Sequence, residues 1–273
     1  MMAALPGPKW FRVAGDFRAS RCSRPRPASR IIGMRTFLRC LFVPTTICLL
    51  ASCASPGLPN RKNTSRTFTT VVVDAGHGGK DSGAHRRYGP PEKVVTLDVA
   101  HRLNRRLRES QFRTVMTRSS DVFVPLDRRV AIGNAQGNSI FVSIHFNDAR
   151  RRGIHGFETY YSSPYARSLA QRIQRKLLKL PGASNRGVKT ANFRVVRNAV
   201  YPSVLVECGF LSNRNEARQA RSGAYRSMLA DKICEAIVEE RYGPGVYRAA
   251  ASTTQPADPA ASASGAPAAP SVR

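Results

Sequence analysis

Four side chains that could share one chemical task lie where apolar runs of the sequence end. His77 follows the run VVVDAG, His145 follows SIFVSI, and Glu207 follows PSVLV. Glu92 stands in the first turn of a predicted helix, shortly after the loop that holds His77. Because ligands gather at the carboxyl ends of strands in open α/β sheets, we expect these side chains to meet at one edge of a sheet.

Two imidazoles and one carboxylate are a common set of ligands for catalytic zinc, and they leave a fourth position for water. His77, Glu92 and His145 supply that set, and zinc brings the pKa of such a water to ~7. A second carboxylate, not bound to the metal, is then needed to accept the proton of the water and pass it to the leaving group. Glu207 is the candidate for this catalytic role.

Each of these residues also has a simpler interpretation. His77 lies in the glycine-rich run GHGGKDSG, which could be a plain turn or a phosphate cradle, although it lacks both the GxGxxG order and the P-loop ending. Glu92 could only complement a helix dipole, and His145 could be a hydrogen-bonded core residue. Glu207 is harder to explain structurally, because a carboxylate directly after an apolar run is costly to bury unpaired.

Short apolar runs and helical stretches alternate along the sequence and must position these side chains. The runs predict strands at residues 68–73, 112–117, 139–144, 157–161, 193–196 and 203–206. Pro90 and Pro91 favour a helix start, and further helices are predicted at 128–135, 166–180 and 225–238. One apolar face of the first helix is predicted to comprise Val94, Leu97, Ala100, Leu103 and Leu107. This alternation indicates an α/β fold around a largely parallel or mixed sheet.

The N-terminal region has the order of an export signal. A basic stretch at residues 34–39 precedes a mostly apolar run at 40–50, which is too short to span a bilayer. The run ends in Leu-Ala-Ser-Cys, which resembles the lipobox of bacterial lipoproteins, and this resemblance implies cleavage before Cys53 and attachment of lipid to it. We therefore interpret residues 34–52 as a lipoprotein signal peptide. Residues 1–33 are interpreted as an N-terminal extension that results from a start codon assigned too far upstream.

The lipoprotein resemblance also predicts where the mature chain resides. It implies an exported, periplasmic protein that is anchored to a membrane by lipid. Ala54 is not the aspartate that marks retention in the inner membrane in that family, so we expect the outer membrane. Residues 53–66 are predicted to be a tether, 67–245 a single catalytic domain, and 246–273 a disordered Ala/Ser/Pro-rich tail.

The charge of the chain favours an anionic partner. There are 44 Lys and Arg residues against 17 Asp and Glu residues, which gives a net charge of +27. Removal of residues 1–52 takes away nine basic residues and one acidic residue and leaves +19. Charge alone allows nucleic acid, acidic lipid or anionic cell wall. Because the export signal leads to a compartment with little nucleic acid, we expect a wall or membrane partner and no nucleic acid.

The chain resembles the zinc-dependent N-acetylmuramoyl-L-alanine amidases of the amidase-3 family in long segments that follow the family order. The matching segments are VVVDAGHGGKDSGA (71–84), PEKVVTLDVA (91–100), MTRSSDVFVPLDRR (116–129), SIHFNDA (143–149), GFETYY (156–161) and RGVKTANFRVVRNAVYPSVLVECGFLSN (186–213). The resemblance implies a six-stranded sheet, one zinc ion bound by His77, Glu92 and His145, and Glu207 as the catalytic glutamate. It also implies hydrolysis, by a zinc-activated water, of the amide bond between N-acetylmuramic acid and L-alanine in peptidoglycan.

Three further residues are candidates for supporting roles at the site. Asp74 could orient the His77 loop or simply cap its strand, and Asn147 and Arg129 could touch the substrate, although Arg129 could equally pair with an acid. Cys208 and Cys234 could be buried thiols or a disulfide. We expect a monomer.

Two functions compete with the amidase interpretation. A zinc exopeptidase that acts on peptides could use the same fold, since fold alone does not determine function. A catalytically idle lipoprotein that binds the wall is the other alternative, and it would predict a damaged ligand set, whereas all four key residues are present.

Overall fold

A six-stranded mixed sheet forms the centre of the fold, as the family resemblance implies. The computed structural model describes residues 59–85 and 89–247. The strands are β1 (Thr70–Ala75), β2 (Arg113–Met116), β3 (Ser139–Asn147), β4 (Phe157–Tyr161), β5 (Asn185–Thr190) and β6 (Ser203–Phe210). Their order across the sheet is β2-β1-β3-β6-β4-β5.

Strands β1, β2, β3 and β6 are parallel to one another, and β4 and β5 run in the opposite direction. The pairs β1–β2, β1–β3 and β3–β6 are parallel, β4 is antiparallel to β6, and β5 is parallel to β4. In this register His145 pairs with Glu207, and Glu207 pairs on its other side with Glu158. Because paired residues on neighbouring strands point to the same face, these three side chains form a row across β3, β6 and β4.

Helices cover both faces of the sheet. They are α1 (Glu92–Glu109), α2 (Leu126–Asn134), α3 (Arg167–Leu177), α4 (Arg194–Arg197), α5 (Arg214–Arg221) and α6 (Gly223–Tyr242), with a 3₁₀ turn at Pro164–Ala166. The larger core joins α1, α3 and α6 to one face of the sheet, and a smaller core joins α2 and α4 to the other. The sheet is therefore the middle layer of a three-layer sandwich.

Helix α1 begins where its prolines predict, but its buried face is turned relative to the sequence prediction. Pro91 is the N-cap residue and Glu92 is the first helical residue. Val95, Val99 and Leu103 are fully buried, whereas Val94 is 49% exposed. The prediction of Val94 as a core residue is therefore wrong, because the apolar stripe of this helix is wide enough to allow two orientations and contacts with α6 select one.

The predicted strand at 193–196 is wrong. These residues mostly belong to α4, a short helix that packs Val195 and Val196 into the smaller core. The strand lies instead at Asn185–Thr190, an edge strand that pairs only with β4 and is largely polar. An edge strand with little buried surface carries no apolar alternation, so local sequence could not show it.

Several predictions concern segments at the chain ends. The proposed extension, signal peptide, Cys53 and most of the tail lie outside the described residues. Within the segment predicted as a tether, Arg61 donates to Ser162 and Thr64 donates to the Ser139 carbonyl, so this part packs on the domain. No helix within 59–85 or 89–247 is long and apolar enough to cross a bilayer. Cys208 and Cys234 are both buried free thiols.

Candidate functional site

The loop after β1 presents His77 in a strained conformation. His77 has a φ of 59°, in the left-handed region, and Gly78 and Gly79 follow at φ values of 127° and 58°. The loop closes through paired backbone hydrogen bonds between Gly78 and Asp81. Oδ2 of Asp81 also forms a 2.8 Å hydrogen bond with Nδ1 of His77. This contact fixes the imidazole so that Nε2 points towards Glu92.

Glu92 joins the two histidines. Its Oε2 lies 3.0 Å from Nε2 of His77, and its Oε1 lies 2.9 Å from Nδ1 of His145. The backbone N–H groups of Ala84 and Phe146 each donate to one oxygen of the same carboxylate. Although burial alone would raise the pKa of Glu92, hydrogen bonds from His145 and His77 lower it to about 2. The carboxylate is thus a fixed anion.

The three predicted metal ligands fit a metal ion. Their ligand atoms all lie within 4.8 Å of one another, and within 59–85 and 89–247 this is the only such group of three His, Cys, Asp or Glu residues. Two glycines make room for the group. A Cβ at Gly76 would lie 2.4 Å from the His145 ring, and one at Gly83 would lie 2.5 Å from Oε2 of Glu92. Two imidazoles and a carboxylate are a donor set suited to zinc.

Glu207 lies beside this group with an unusual lack of partners. The residue is 6% exposed, and its Oε2 is buried without a hydrogen-bond partner among the described residues. Burial raises the pKa of Glu207 well above its ordinary value, and the negative charges of Glu92 and Glu158 raise it further. A buried, unpaired carboxylate oxygen is costly in a structural role, so its position indicates a chemical one.

Glu158, the antiparallel neighbour of Glu207, is fully hydrogen-bonded. Arg186 Nε and Lys189 Nζ each donate to its Oε1 at 2.7 Å. Asn147 and the Tyr160 hydroxyl donate to its Oε2. Burial would raise its pKa, but these partners, Lys189 first, lower it. Sequence reasoning missed Glu158, although an acid inside the buried run FETYY was a usable signal.

Asp74 and Arg129 are buried together next to the His77 loop. Asp74 accepts hydrogen bonds from Thr117, Ser143 and Arg129 and is 1% exposed. Arg129 is 3% exposed and also donates to the carbonyls of Ala75 and His77, which is the acid pairing left open above. Arg129 therefore ties α2 to the end of β1 and to the His77 loop.

Two further residues qualify the sequence analysis. Asn147, at 2% exposure, donates to Glu158 rather than pointing into solvent. Arg118, which sequence reasoning missed, donates to the carbonyls of Ala75, Gly76 and Lys93 and so clamps the His77 loop to α1. Its position two residues after β2, inside the run MTRSSD, was a usable sequence signal for it.

The fold and this site define an α/β protein with a His–Glu–His group suited to a metal ion and a buried glutamate beside it. Residues 71–239 match the Amidase_3 family model, described as N-acetylmuramoyl-L-alanine amidase. Since that match covers more than half of the chain, the chain belongs to this family. The resemblance to the amidase-3 family found in the sequence is thereby confirmed.

Known relatives agree with the family assignment. The N-acetylmuramoyl-L-alanine amidase LytC of Bacillus subtilis is 34% identical over 215 residues, which is 77% of this chain but 42% of LytC. The uncharacterized protein YqiI of the same organism is 37% identical over 208 residues, 75% of this chain and 97% of YqiI. The chain thus spans less than half of LytC and nearly all of YqiI.

Solved structures share the fold. The amidase AmiC2 of Nostoc punctiforme has a TM-score of 0.61 and 36% identity, covering 62% of this chain and 95% of that one. The catalytic domain of the amidase CwlV from Bacillus (Paenibacillus) polymyxa var. colistinus has a TM-score of 0.60 and 33% identity, covering 63% and 97%.

Proposed function

We propose that this protein is a zinc-dependent peptidoglycan amidase that hydrolyses the bond between N-acetylmuramic acid and L-alanine, as part of cell-wall remodelling or separation of daughter cells. The observation that carries the proposal is the placement of Glu207, with its unpaired buried oxygen, beside the group His77, Glu92 and His145. The names of LytC, AmiC2 and CwlV, all called N-acetylmuramoyl-L-alanine amidases, support the same reaction.

His77, Glu92 and His145 would hold one zinc ion. When bound, zinc supplies Lewis-acid chemistry, the polarisation of the scissile carbonyl and of a water molecule. The chain itself keeps the ligands in place. Asp81 orients His77, and the backbone N–H groups of Ala84 and Phe146 hold the Glu92 carboxylate, so little reorganisation is needed when the metal binds.

Glu207 would move the proton. The positive charge of a bound zinc ion would oppose the effects of burial, Glu92 and Glu158 on the pKa of Glu207 and so favour its ionised form. Its unpaired oxygen would then accept a proton from the attacking water and donate it to the departing nitrogen of L-alanine. Glu158 cannot take over this task, because four donors already occupy its oxygens. Two neighbouring glutamates in opposite environments are a recurrent way to assign the acid/base role to one of them.

Digestion of purified peptidoglycan tests the reaction. We expect the protein to release intact stem peptides with a free L-alanine amine, and a chelator or Glu207→Gln to abolish the release. The matched control is Glu109→Gln, which changes an exposed glutamate at the end of α1 in the same way. A zinc exopeptidase would instead release single amino acids, and an idle wall-binding protein would bind peptidoglycan and release nothing even with added zinc.

The anchor is a separate part of the proposal. We propose that export and lipid attachment at Cys53 place the enzyme in the periplasm on a membrane, with the outer membrane favoured. Mass spectrometry of the purified protein should show a lipid-modified N-terminal Cys53. Replacement of Cys53 by Ser should move the protein from the membrane fraction to the soluble fraction, and an unchanged membrane fraction would contradict the anchor.

A further inference from the structure

Two cations lie on the opposite side of Glu207 from the metal ligands. Arg186 and Lys189 both belong to the edge strand β5, and both donate to the same oxygen of Glu158. One carboxylate therefore faces two positive charges, which leaves the cluster with an excess of one. Within 59–85 and 89–247 Glu158 is the only carboxylate that forms an ion pair with either cation, and the charge of Arg186 also acts on Glu216 from further away.

The cations also keep donors available for a ligand. Only Nε of Arg186 is used in its contact with Glu158, and no hydrogen bond within the described chain uses its two terminal nitrogens. The Arg186 side chain is 34% exposed and that of Lys189 is 41% exposed. Their stems are nevertheless held, since Arg186 lies over the Phe210 ring at 5.1 Å and Lys189 over the Tyr160 ring at 5.8 Å. These are fixed, solvent-accessible cations.

The sheet order shows on which side of Glu207 the cluster of Arg186, Lys189 and Glu158 lies. His145 lies on β3, on one side of β6, whereas β4 and β5 lie on the other side. Strands are about 4.8 Å apart, so β5 lies about 10 Å from the strand that carries Glu207. In the proposed function Glu207 protonates the L-alanine nitrogen, where the stem peptide begins. An extended peptide advances about 3.4 Å per residue, so about three residues bridge this distance.

We propose that Arg186 and Lys189 form a subsite for a free carboxylate within the first three residues of the stem peptide. The inference rests on the proposed function, because that function defines which side of the substrate meets β4 and β5. Arginine and lysine donate charge-assisted hydrogen bonds to carboxylates, and the fixed stems reduce the entropy lost on binding. An amidated carboxylate has no charge and would lose most of this interaction.

Two synthetic substrates test the subsite, each a disaccharide that carries a tripeptide. In one every peptide carboxylate is free, and in the other every carboxylate is amidated. We expect the protein to cleave the free form with a kcat/KM about three to ten times higher, the range of a partly exposed charge-assisted contact. Lys189→Gln and Arg186→Gln should each bring this ratio towards one. Lys179 is an exposed lysine two residues after α3, so Lys179→Gln removes the same charge and should keep the ratio.

The ratio is informative because a loss of folded protein lowers both rates equally and cancels. A ratio near one for the unchanged protein, or an unchanged ratio in Lys189→Gln and Arg186→Gln, would overturn the subsite. If the unchanged protein cleaves neither substrate, the proposed function fails. The subsite is then decided by calorimetric binding of the two substrates to Glu207→Gln with and without Lys189→Gln, where equal affinities for the free and amidated forms overturn it.

Discussion

At the scale of single residues, two glutamates that face each other across β4 and β6 have opposite environments. Glu158 receives four hydrogen bonds, and its pKa is lowered once its partners offset burial. Glu207 has a buried oxygen without a partner, and its pKa is raised, first by burial and then by the charges of Glu92 and Glu158. Identical side chains one strand apart therefore differ in what they can do with a proton.

The first prediction separates these roles. Glu207→Gln should lower kcat by about 10²–10⁴, the usual contribution of a general acid or base, and leave the free energy of unfolding unchanged or higher. No stability should be lost, because the substitution removes a buried, unpaired carboxylate that is costly to fold around. Turnover of wall substrate and urea denaturation measure the two effects.

Glu158→Gln is the matched comparison. It should lower the free energy of unfolding, because Arg186 and Lys189 would lose the negative charge that they share and the new amide NH2 would face a hydrogen-bond donor. If Glu207→Gln destabilises the protein as much as Glu158→Gln does, Glu207 has a structural role and the assignment above fails.

At the scale of secondary-structure elements, Arg129 holds the site together. It extends from α2 to Asp74 at the end of β1 and to the carbonyl of His77 in the loop that follows. The charged side chains of Arg129 and Asp74 are both almost fully buried. An element junction of this kind is sensitive to loss of one partner, because the other is left as an unpaired buried charge.

The second prediction concerns this junction. Arg129→Ala should reduce the free energy of unfolding by about 3 kcal/mol or more, since Asp74 would remain buried without its cation. It should also weaken metal affinity, because the His77 loop loses an anchor. Arg128→Ala, at the exposed neighbouring position, should change stability by no more than about 0.5 kcal/mol. Urea denaturation of both variants gives the comparison, and equal effects would exclude the proposed junction.

The third prediction concerns the contact between α1 and α6. Asp98 of α1 accepts hydrogen bonds from Arg102 and from Arg226 of α6. Burial would raise its pKa, but these arginines lower it below the usual 3.8. A carboxyl whose pKa is lower in the folded state stabilises the fold above its unfolded pKa, and this contribution is lost as pH falls through the folded pKa.

Asp98→Asn therefore tests a pH-dependent difference. The variant should be less stable than the unchanged protein near pH 6, and the two should converge as pH falls below about 3.8. Thermal or urea unfolding at several pH values measures this. A stability difference that stays constant down to pH 2 would show that the ion pair is not its source.

At the scale of the whole molecule, the candidate metal site connects distant parts of the chain. His77 follows β1, Glu92 begins α1, and His145 lies in β3. These elements belong to the central sheet and to its larger helical layer. A ligand that binds only the folded state stabilises the whole fold, because the unfolded chain does not hold its ligands together.

The fourth prediction follows from this arrangement. Zinc at 100 times its dissociation constant should raise the free energy of unfolding by about 2.7 kcal/mol. Glu92→Gln should abolish most of this increase, because it removes the ligand between both histidines. Calorimetric melting with zinc or with a chelator gives the measurement. An equal zinc-induced increase in Glu92→Gln would place the metal elsewhere.

The sequence by itself determined the chemistry-bearing residues and the layered fold. Near-continuous apolar runs between helical stretches indicate strands buried on both faces, so polar residues at their ends were expected at the sheet edge. This reasoning brought His77, Glu92, His145 and Glu207 together, and the structure places the ligand atoms of the first three within 4.8 Å of one another, as a group that could hold a metal ion. The long family motifs implied a six-stranded sheet, and the structure confirms it.

Only the tertiary structure decided the partners of these residues. It showed that β5 is a polar edge strand, that Glu158 pairs in register with Glu207, and that Arg129 is buried against Asp74. Strand pairing joins residues that are far apart in the chain, and local periodicity has no information on which strands become neighbours. For the same reason, the environments that give Glu158 and Glu207 different proton chemistry arise from packing and not from their positions in the sequence.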